Sequence, residues 1–176
     1  MGINTISEYF LIMTKTFIGI DPGITGAIAS ISLDGTIKFI DCPTTTTTSK
    51  AAGKSKSKAK LNPTLMATEL SQLVNPNSII IIENIHAMPG QGVTSMFNFG
   101  MGYGIWLGII AALNTPVELI TPQAWKKYFG LIGTNKDASR EKALQLFPSQ
   151  SQELKLKKHH GRADALLLAE YLRRRL

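Results

Sequence analysis

The chain has 176 residues, of which 44% are hydrophobic and 18% are charged, with a formal net charge of +7 and a pI near 9.6. This length predicts one domain with a sizeable core and no room for a second full domain within these residues. The positive charge favours an acidic partner such as nucleic acid. Cys42 is the only cysteine, which excludes an intrachain disulfide and a cysteine-based zinc site.

Two apolar segments bear on targeting. Residues 1–14 contain a short apolar run, but Glu8 and the lack of early basic residues argue against a signal peptide. We interpret them as an N-terminal extension. The apolar run at 105–113 is too short to cross a bilayer. We therefore expect a cytoplasmic location, or the interior of a host cell or organelle, with no secretion and no membrane partner.

The first predicted elements are three strands, at 16–20, 27–33 and 36–41. Asp34-Gly35, between the second and third, is a strong signal for a two-residue hairpin turn. Residues 44–60 combine five consecutive threonines with five lysines and contain no acidic residue. This composition has too little apolar content to pack, and it predicts a flexible basic loop.

A continuous aliphatic strand is predicted at 78–82, and its composition suits burial on both faces. The other predicted elements are a strand at 117–121 and helices at 61–74, 91–113, 123–129, 136–147 and 160–175. Three antiparallel strands followed by alternating helices and strands are typical of an α/β domain. The sequence therefore predicts a mixed five-stranded sheet flanked by helices over residues 15–176.

Three acidic residues adjoin these apolar elements. Asp21 and Glu83 end predicted strands, and Asp164 precedes the apolar part of the last helix. Ligands usually bind at the carboxyl edge of an open α/β sheet, and burying a carboxylate there is costly without a cation or donor. His160 lies one helical turn before Asp164. Such ligands suit Mg²⁺ or Mn²⁺, and two ions about 3.5–4 Å apart could hydrolyse a phosphodiester.

Each of these residues also has a purely structural interpretation. Asp21 could cap the turn that follows it, and Glu83 could pair with a base such as Arg162. Asp164 could be a first-turn acid favoured by the helix dipole, and His160 a capping or surface histidine. The combination favours catalysis, because all three acids adjoin aliphatic runs.

Four segments resemble, in order, the motifs of the RuvC-type Holliday junction resolvases, a family of the RNase H-like superfamily. They are 18–26 (IGIDPGITG), 80–84 (IIIEN), 121–127 (TPQAWKK) with Gly133 and Lys136 beyond it, and 163–166 (ADAL). The matched segments extend over nearly the whole chain. The run KKHHGRA at 157–163 resembles the plant chloroplast branch of that family.

The resemblance implies an RNase H-like fold, a homodimer, and paired symmetric nicks in four-way DNA junctions during recombination and repair, with two Mg²⁺ or Mn²⁺ ions per site. Asp21, Glu83 and Asp164 carry over as metal ligands, and Lys136 as the catalytic lysine that steadies the scissile phosphate. Bacterial members carry an acid or a histidine three residues before the last acid, where this chain has Gly161. His160 is our substitute for that fourth ligand.

Gly100, Gly104 and Gly108 recur every four residues and form one smooth helical face. Glycine costs about 1 kcal/mol against alanine at each helical position, so a compensating contact is expected. One candidate is tight packing on the protein's own sheet. The other, implied by the resemblance, is the dimer interface, surrounded by aromatic residues: Phe97, Phe99, Tyr103 and Trp106.

Candidate DNA contacts follow from the resemblance and from the basic clusters. His86 stands where bacterial relatives carry an aromatic that stacks in the opened junction, and imidazole can also stack on a base. The other candidates share a basic side chain near the predicted site: Lys126, Lys127, Lys136, Arg140, Lys158 and Arg162.

Three other functions fit parts of the sequence. An RNase H-like nuclease acting on RNA or on other branched DNA would use the same acids. A phosphotransferase of the actin and sugar-kinase type has a similar phosphate loop but needs two such domains. A non-catalytic nucleic-acid binder is disfavoured, because three carboxylates beside a polyanion repel it unless metals intervene.

Overall fold

The structure is a computed structural model, and it describes residues 15–51, 54–87, 90–135 and 137–176, without the side chains of 49–51 and 54–56. The predicted N-terminal extension and Lys136 lie outside the described residues. The strands are β1 (Thr16–Asp21), β2 (Ala27–Ser32), β3 (Ile37–Asp41), β4 (Thr44–Ala51), β5 (Lys54–Leu61), β6 (Ser78–Glu83) and β7 (Val117–Ile120). The α-helices are α1 (Pro63–Leu73), α2 (Val93–Ala112), α3 (Pro122–Tyr128), α4 (Ala138–Leu146) and α5 (His160–Arg175).

A mixed five-stranded sheet, in the order β3-β2-β1-β6-β7, forms the centre of the fold. β1 pairs antiparallel with β2, and β2 antiparallel with β3. β1 pairs in parallel with β6, and β6 in parallel with β7. The predicted fold class is confirmed, with three antiparallel strands followed by parallel ones.

Helices cover both faces of this sheet because successive strand residues point to opposite sides. Ile18 and Ile20 of β1 pack in one cluster with residues of α1 and α2, such as Met66 and Ile110. Phe17 lies in the other cluster, which is built mainly from α5. The inner strands are therefore buried on both sides, as the aliphatic sequence of β6 predicts.

Residues 44–60 do not form the predicted flexible basic loop. β4 and β5 pair antiparallel along their full length, from Thr44↔Leu61 to Ala51↔Lys54. The threonine run is β-branched and favours extended backbone. Low apolar content prevents a packed core, but it does not prevent two adjacent extended segments from forming backbone hydrogen bonds.

α2 is apolar and largely exposed. It has 20 residues with a mean hydropathy of 1.2, and by length and composition alone it is the one helix of the described ranges that could cross a membrane. The apolar run identified from the sequence is therefore only part of a longer apolar helix. A Cβ added at Gly100, Gly104 or Gly108 would meet nothing within 4 Å. The expectation that these glycines pack tightly on the protein's own sheet is therefore wrong. Trp106 is 0% exposed and belongs to the core, not to the surroundings of that open face.

Candidate active site

The three predicted acids meet at one edge of the sheet. Asp21 ends β1 and Glu83 ends β6, and because these neighbouring strands are parallel their carboxyl ends lie side by side. Asp164 is the fifth residue of α5, which packs over β1. The interpretation of Asp164 as a first-turn acid is therefore wrong. Electrostatic coupling shows the proximity, since both Asp164 and Glu83 raise the pKa of Asp21.

Two glycines bring the backbone of α5 close enough to make this cluster. A Cβ at Gly19 would lie 2.1 Å from the carbonyl oxygen of Ala165, and a Cβ at Gly161 would lie 2.4 Å from that of Thr25. Helix and strand backbones are thus in direct contact at Gly19. The contact at Gly161 explains why the chain has no side-chain ligand three residues before Asp164, because any side chain there would clash.

Arg162 anchors the start of α5 to β3. Its Nε donates to Asp41 Oδ1 at 2.5 Å and its Nη2 to Asp41 Oδ2 at 2.7 Å, while Nη1 donates to Glu153 Oε2 at 2.6 Å. Arg162 therefore pairs with these acids and not with Glu83, so the pairing of Glu83 with Arg162 is wrong. Two carboxylates also offset its charge, so Arg162 is less available to phosphate than the sequence suggested.

Burial raises the pKa of all three acids, and the proximity of other carboxylates raises it further at Asp21 and Glu83. Burial, and then the nearby carboxylates of Asp164 and Glu83, raise the pKa of Asp21 to about 7, against the opposing effects of the Gly23 N–H and Lys126. Burial also raises the pKa of Glu83 and of Asp164. Asp21 in addition accepts a 3.2 Å hydrogen bond from the Gly23 N–H, so it both caps its turn and belongs to the acidic cluster.

α3 supplies two residues that partly offset the negative charge of the three acids. Trp125 is 0% exposed, and its Nε1 donates to Glu83 Oε1 at 2.9 Å. Lys126 lowers the pKa of Asp21, Glu83 and Asp164 alike, and among the described residues it is the cation that acts on all three. Sequence analysis predicted Lys126 as a DNA contact and no role for Trp125. Both residues belong to the helix that starts at Pro122.

The donor set fits a divalent cation. Asp164 Oδ1 is buried and accepts no hydrogen bond within the described part of the chain, and leaving such an atom unpaired is costly. Carboxylate oxygens are the ligands that Mg²⁺ and Mn²⁺ prefer. Across the described ranges, no three acidic, histidine or cysteine side chains converge tightly enough to hold an ion as they stand. Mutual repulsion between carboxylates opposes such convergence until a cation is bound.

A cavity of about 560 Å³ opens beside Asp164. His160, the exposed first residue of α5, lines it, and its charge lowers the pKa of Asp164. Lys136 lies outside the described residues, but its neighbours Asn135 and Asp137 line the same cavity. The sequence gave no role to the remaining polar lining residues: Thr134, Ser139 and Lys157.

The remaining predicted DNA contacts occupy different environments. Lys127, Lys158 and His86 are exposed, and His86 lines a small cavity of about 140 Å³ beside Tyr103. The side chain of Arg140 is only 16% exposed, and its Nε lies 3.6 Å from Asp137 Oδ1, so it is a poor candidate for phosphate contact.

Comparisons with known proteins concern the sequence and the fold of this chain. None of the protein-family models matches the chain. Over 85 residues, 48% of its length, the chain is 40% identical to "Holliday junction resolvase MOC1, chloroplastic" of Chlamydomonas reinhardtii, and it spans 10% of the length of that relative. The solved structure of Thermus thermophilus RuvC with a Holliday junction substrate has a TM-score of 0.50 at 18% identity, covering 88% of this chain and 90% of that one. A second Thermus thermophilus RuvC structure has a TM-score of 0.49 at 15% identity, covering 90% and 96%.

The chain has the RNase H-like fold of RuvC. In this fold the acidic cluster lies at the carboxyl edge of the central parallel strands, where ligands of open α/β sheets usually bind. Of the three acids, Asp164 lines the cavity at this edge.

The pKa of Asp21 predicts pH-dependent stability when divalent ions are removed. Its folded-state pKa of about 7 exceeds the ordinary value of 3.8, so in this window the folded state keeps a proton that the unfolded state has lost. Stability therefore decreases as pH rises from about 4 to about 7. Asp21→Asn, which cannot ionise, should become more stable than the wild type by on the order of 4 kcal/mol at the upper end, because each pKa unit corresponds to about 1.4 kcal/mol. Denaturant unfolding in chelator measures the difference.

Asp34→Asn, at the exposed β2–β3 turn, is the matched control. Its stability should decrease with rising pH as that of the wild type does. A stability difference between Asp21→Asn and the wild type that does not change with pH would contradict the raised pKa.

Proposed function

We propose that this chain is a Holliday junction resolvase, a DNA endonuclease that makes symmetric paired nicks in a four-way junction. The observation that carries the proposal is the electrostatic coupling of Asp21, Glu83 and Asp164 to one another and to Lys126 at the carboxyl edge of a sheet with the fold of RuvC. The name of the Chlamydomonas relative supports the junction as substrate. The net charge of +7 suits a polyanionic partner.

Asp21, Glu83 and Asp164 would hold Mg²⁺ or Mn²⁺, two ions per site. When bound, such ions activate a water and stabilise the leaving oxygen of the phosphodiester. Trp125 orients the carboxylate of Glu83 through its indole hydrogen bond. His160 would complete the ligand set, because it shares the cavity with Asp164 one helical turn away.

Basic residues around the cavity would position the DNA. Lys126 would offset the charge of the acids as a phosphate approaches. Lys136 would steady the scissile phosphate, because the residues on either side of it in the sequence line the cavity. The exposed Lys127 and Lys158 would add phosphate contacts, and His86 would stack on a base. The enzyme would act in recombination and repair inside a cell or organelle, with residues 15–176 as the nuclease domain.

We also propose a homodimer formed through the open face of α2. Phe97 is 70% exposed and Met101 49% exposed, so this face presents a large apolar area. The open glycines let a second backbone approach closely. A membrane fits this face of α2 less well than a second chain does, because Trp106 and Ile110 of the same helix are buried in the domain core. Two active sites would then face two strands of one junction.

Cleavage assays test the catalytic proposal. A labelled four-way junction, a matched duplex, a flap and an RNA–DNA hybrid are incubated with Mg²⁺ or with chelator. We expect paired symmetric nicks in the junction alone, with 5′-phosphate and 3′-hydroxyl ends, and no cutting in chelator. Asp21→Asn should reduce the rate by at least about 100-fold, since it removes a direct metal ligand, whereas Asp34→Asn should cut normally.

Cutting of the flap or the hybrid in place of the junction would keep the metal chemistry and replace the proposed substrate with RNA or other branched DNA. Ends carrying a 3′-phosphate, or cutting that persists in chelator, would contradict the proposed chemistry itself.

Gly104→Arg tests the dimer. The folded monomer has open space at this position, so the arginine should disrupt association without disturbing the domain. We expect sedimentation at micromolar concentration to show a dimer for the wild type and a monomer for Gly104→Arg, which should also make single rather than paired nicks. Thr68→Arg, on the exposed face of α1, is the matched control. A monomeric wild type would overturn the dimer while leaving the nuclease chemistry intact.

A further inference from the structure

The hairpin β4–β5, residues 44–61, carries a concentration of positive charge that the active site does not use. Alternate positions of β5 (54, 56, 58 and 60) are all lysine. No acidic residue occurs between Asp41 and Glu69. We call this element the lysine hairpin.

Backbone register places the lysine positions on one face. Alternate strand residues point the same way, about 7 Å apart, so the exposed side chains of Lys58 and Lys60 lie on one face. The lysines at 54 and 56 continue the same alternation in the sequence. Across the hairpin, Lys60 pairs with Thr45 and Lys58 with Thr47, which brings threonines onto the same face. Residues 44–48 and 57–60 are all exposed, so these parts of the hairpin project from the domain, while Leu61 at its base packs against the core.

The base of the lysine hairpin is fixed beside the acidic cluster. Asp21 pairs with Ala27 across β1 and β2, and Ala27 pairs with Asp41 across β2 and β3. The chain enters β4 three residues later. The Cys42 N–H donates to the Gly26 carbonyl at 3.0 Å, and the Asn62 N–H donates to the Pro43 carbonyl at 2.9 Å. Both ends of the hairpin thus leave from the sheet edge that carries the acids.

We propose that the lysine hairpin binds the phosphate backbone of the DNA duplex that leads to the cut site. This inference rests on the proposed function, because it takes the DNA to be already held at the acidic cluster. Lysine and threonine are typical phosphate ligands, and a two-stranded β-ribbon fits the major groove. The hairpin contains no asparagine or glutamine, the side chains that pair bidentately with adenine. Its contact with the backbone would extend the site by up to eight residues of strand, roughly 25 Å.

Salt dependence of junction binding tests this proposal. The dissociation constant of the full chain for a four-way junction is measured in chelator, between 50 and 200 mM salt, so that no cutting occurs. Each phosphate contact contributes about 0.9 to the slope of log K against log salt. Replacing the lysines at 54, 56, 58 and 60 with glutamine should make the slope shallower by up to about 3.6, and arginine at the same four positions should restore it.

Two double variants, each with two lysines replaced, distinguish a contact by the hairpin from a general effect of net charge on DNA binding. Lys58→Gln/Lys60→Gln should make the slope shallower by up to about 2. Lys15→Gln/Lys38→Gln removes two charges elsewhere on the sheet and should leave the slope within error of the wild type. Equal slopes for both double variants would overturn the hairpin contact.

Junction cutting by the wild type in Mg²⁺ keeps the two proposals separable. Normal cutting with unchanged slopes overturns the lysine hairpin alone. Reduced slopes with no cutting of any substrate support DNA binding by the hairpin and overturn the nuclease. A wild type that binds no junction overturns both.

Discussion

The backbone contact between α5 and β1 at Gly19 is the constraint on which the acidic cluster depends. Only a residue without a side chain allows the carbonyl of Ala165 to approach this closely. Gly161 makes the equivalent contact with the β1–β2 turn. Together they place Asp164 beside Asp21, at the edge where Glu83 ends the neighbouring strand. A larger side chain at either glycine would lift the helix and separate carboxylates that belong to different elements.

Placing three carboxylates together has an electrostatic cost, and the structure shows how part of it is offset. Lys126 acts on all three acids, the Trp125 indole holds Glu83, and the Gly23 N–H holds Asp21. The offset is incomplete, because the pKa of Asp21 remains near 7 and Asp164 Oδ1 keeps no hydrogen-bond donor among the described residues. Residual strain of this kind is typical of functional sites. A bound divalent cation would remove it.

Much of the fold was predictable from the sequence because the signals are local. Aliphatic runs ending in Asp21 and Glu83 define buried parallel strands and also mark the site. The roles of Trp125 and Gly161 were not predictable, because they depend on which elements meet in space. The prediction of a flexible loop at the lysine hairpin is wrong for another reason. Low apolar content indicates that a segment cannot form a packed core, yet β4 and β5 pair through their backbones, with the side chains of residues 44–48 and 57–60 exposed.

The central claim is that the three acids form a divalent-metal site, and Mn²⁺ binding tests it without relying on catalysis. Electron paramagnetic resonance of the free ion gives the number of ions bound per chain and their affinity. The account predicts binding by the wild type that weakens as pH falls below about 7, where Asp21 takes up a proton. Asp164→Asn should lose at least one ion, and Asp34→Asn should bind as the wild type does. Equal binding by all three proteins would contradict the account.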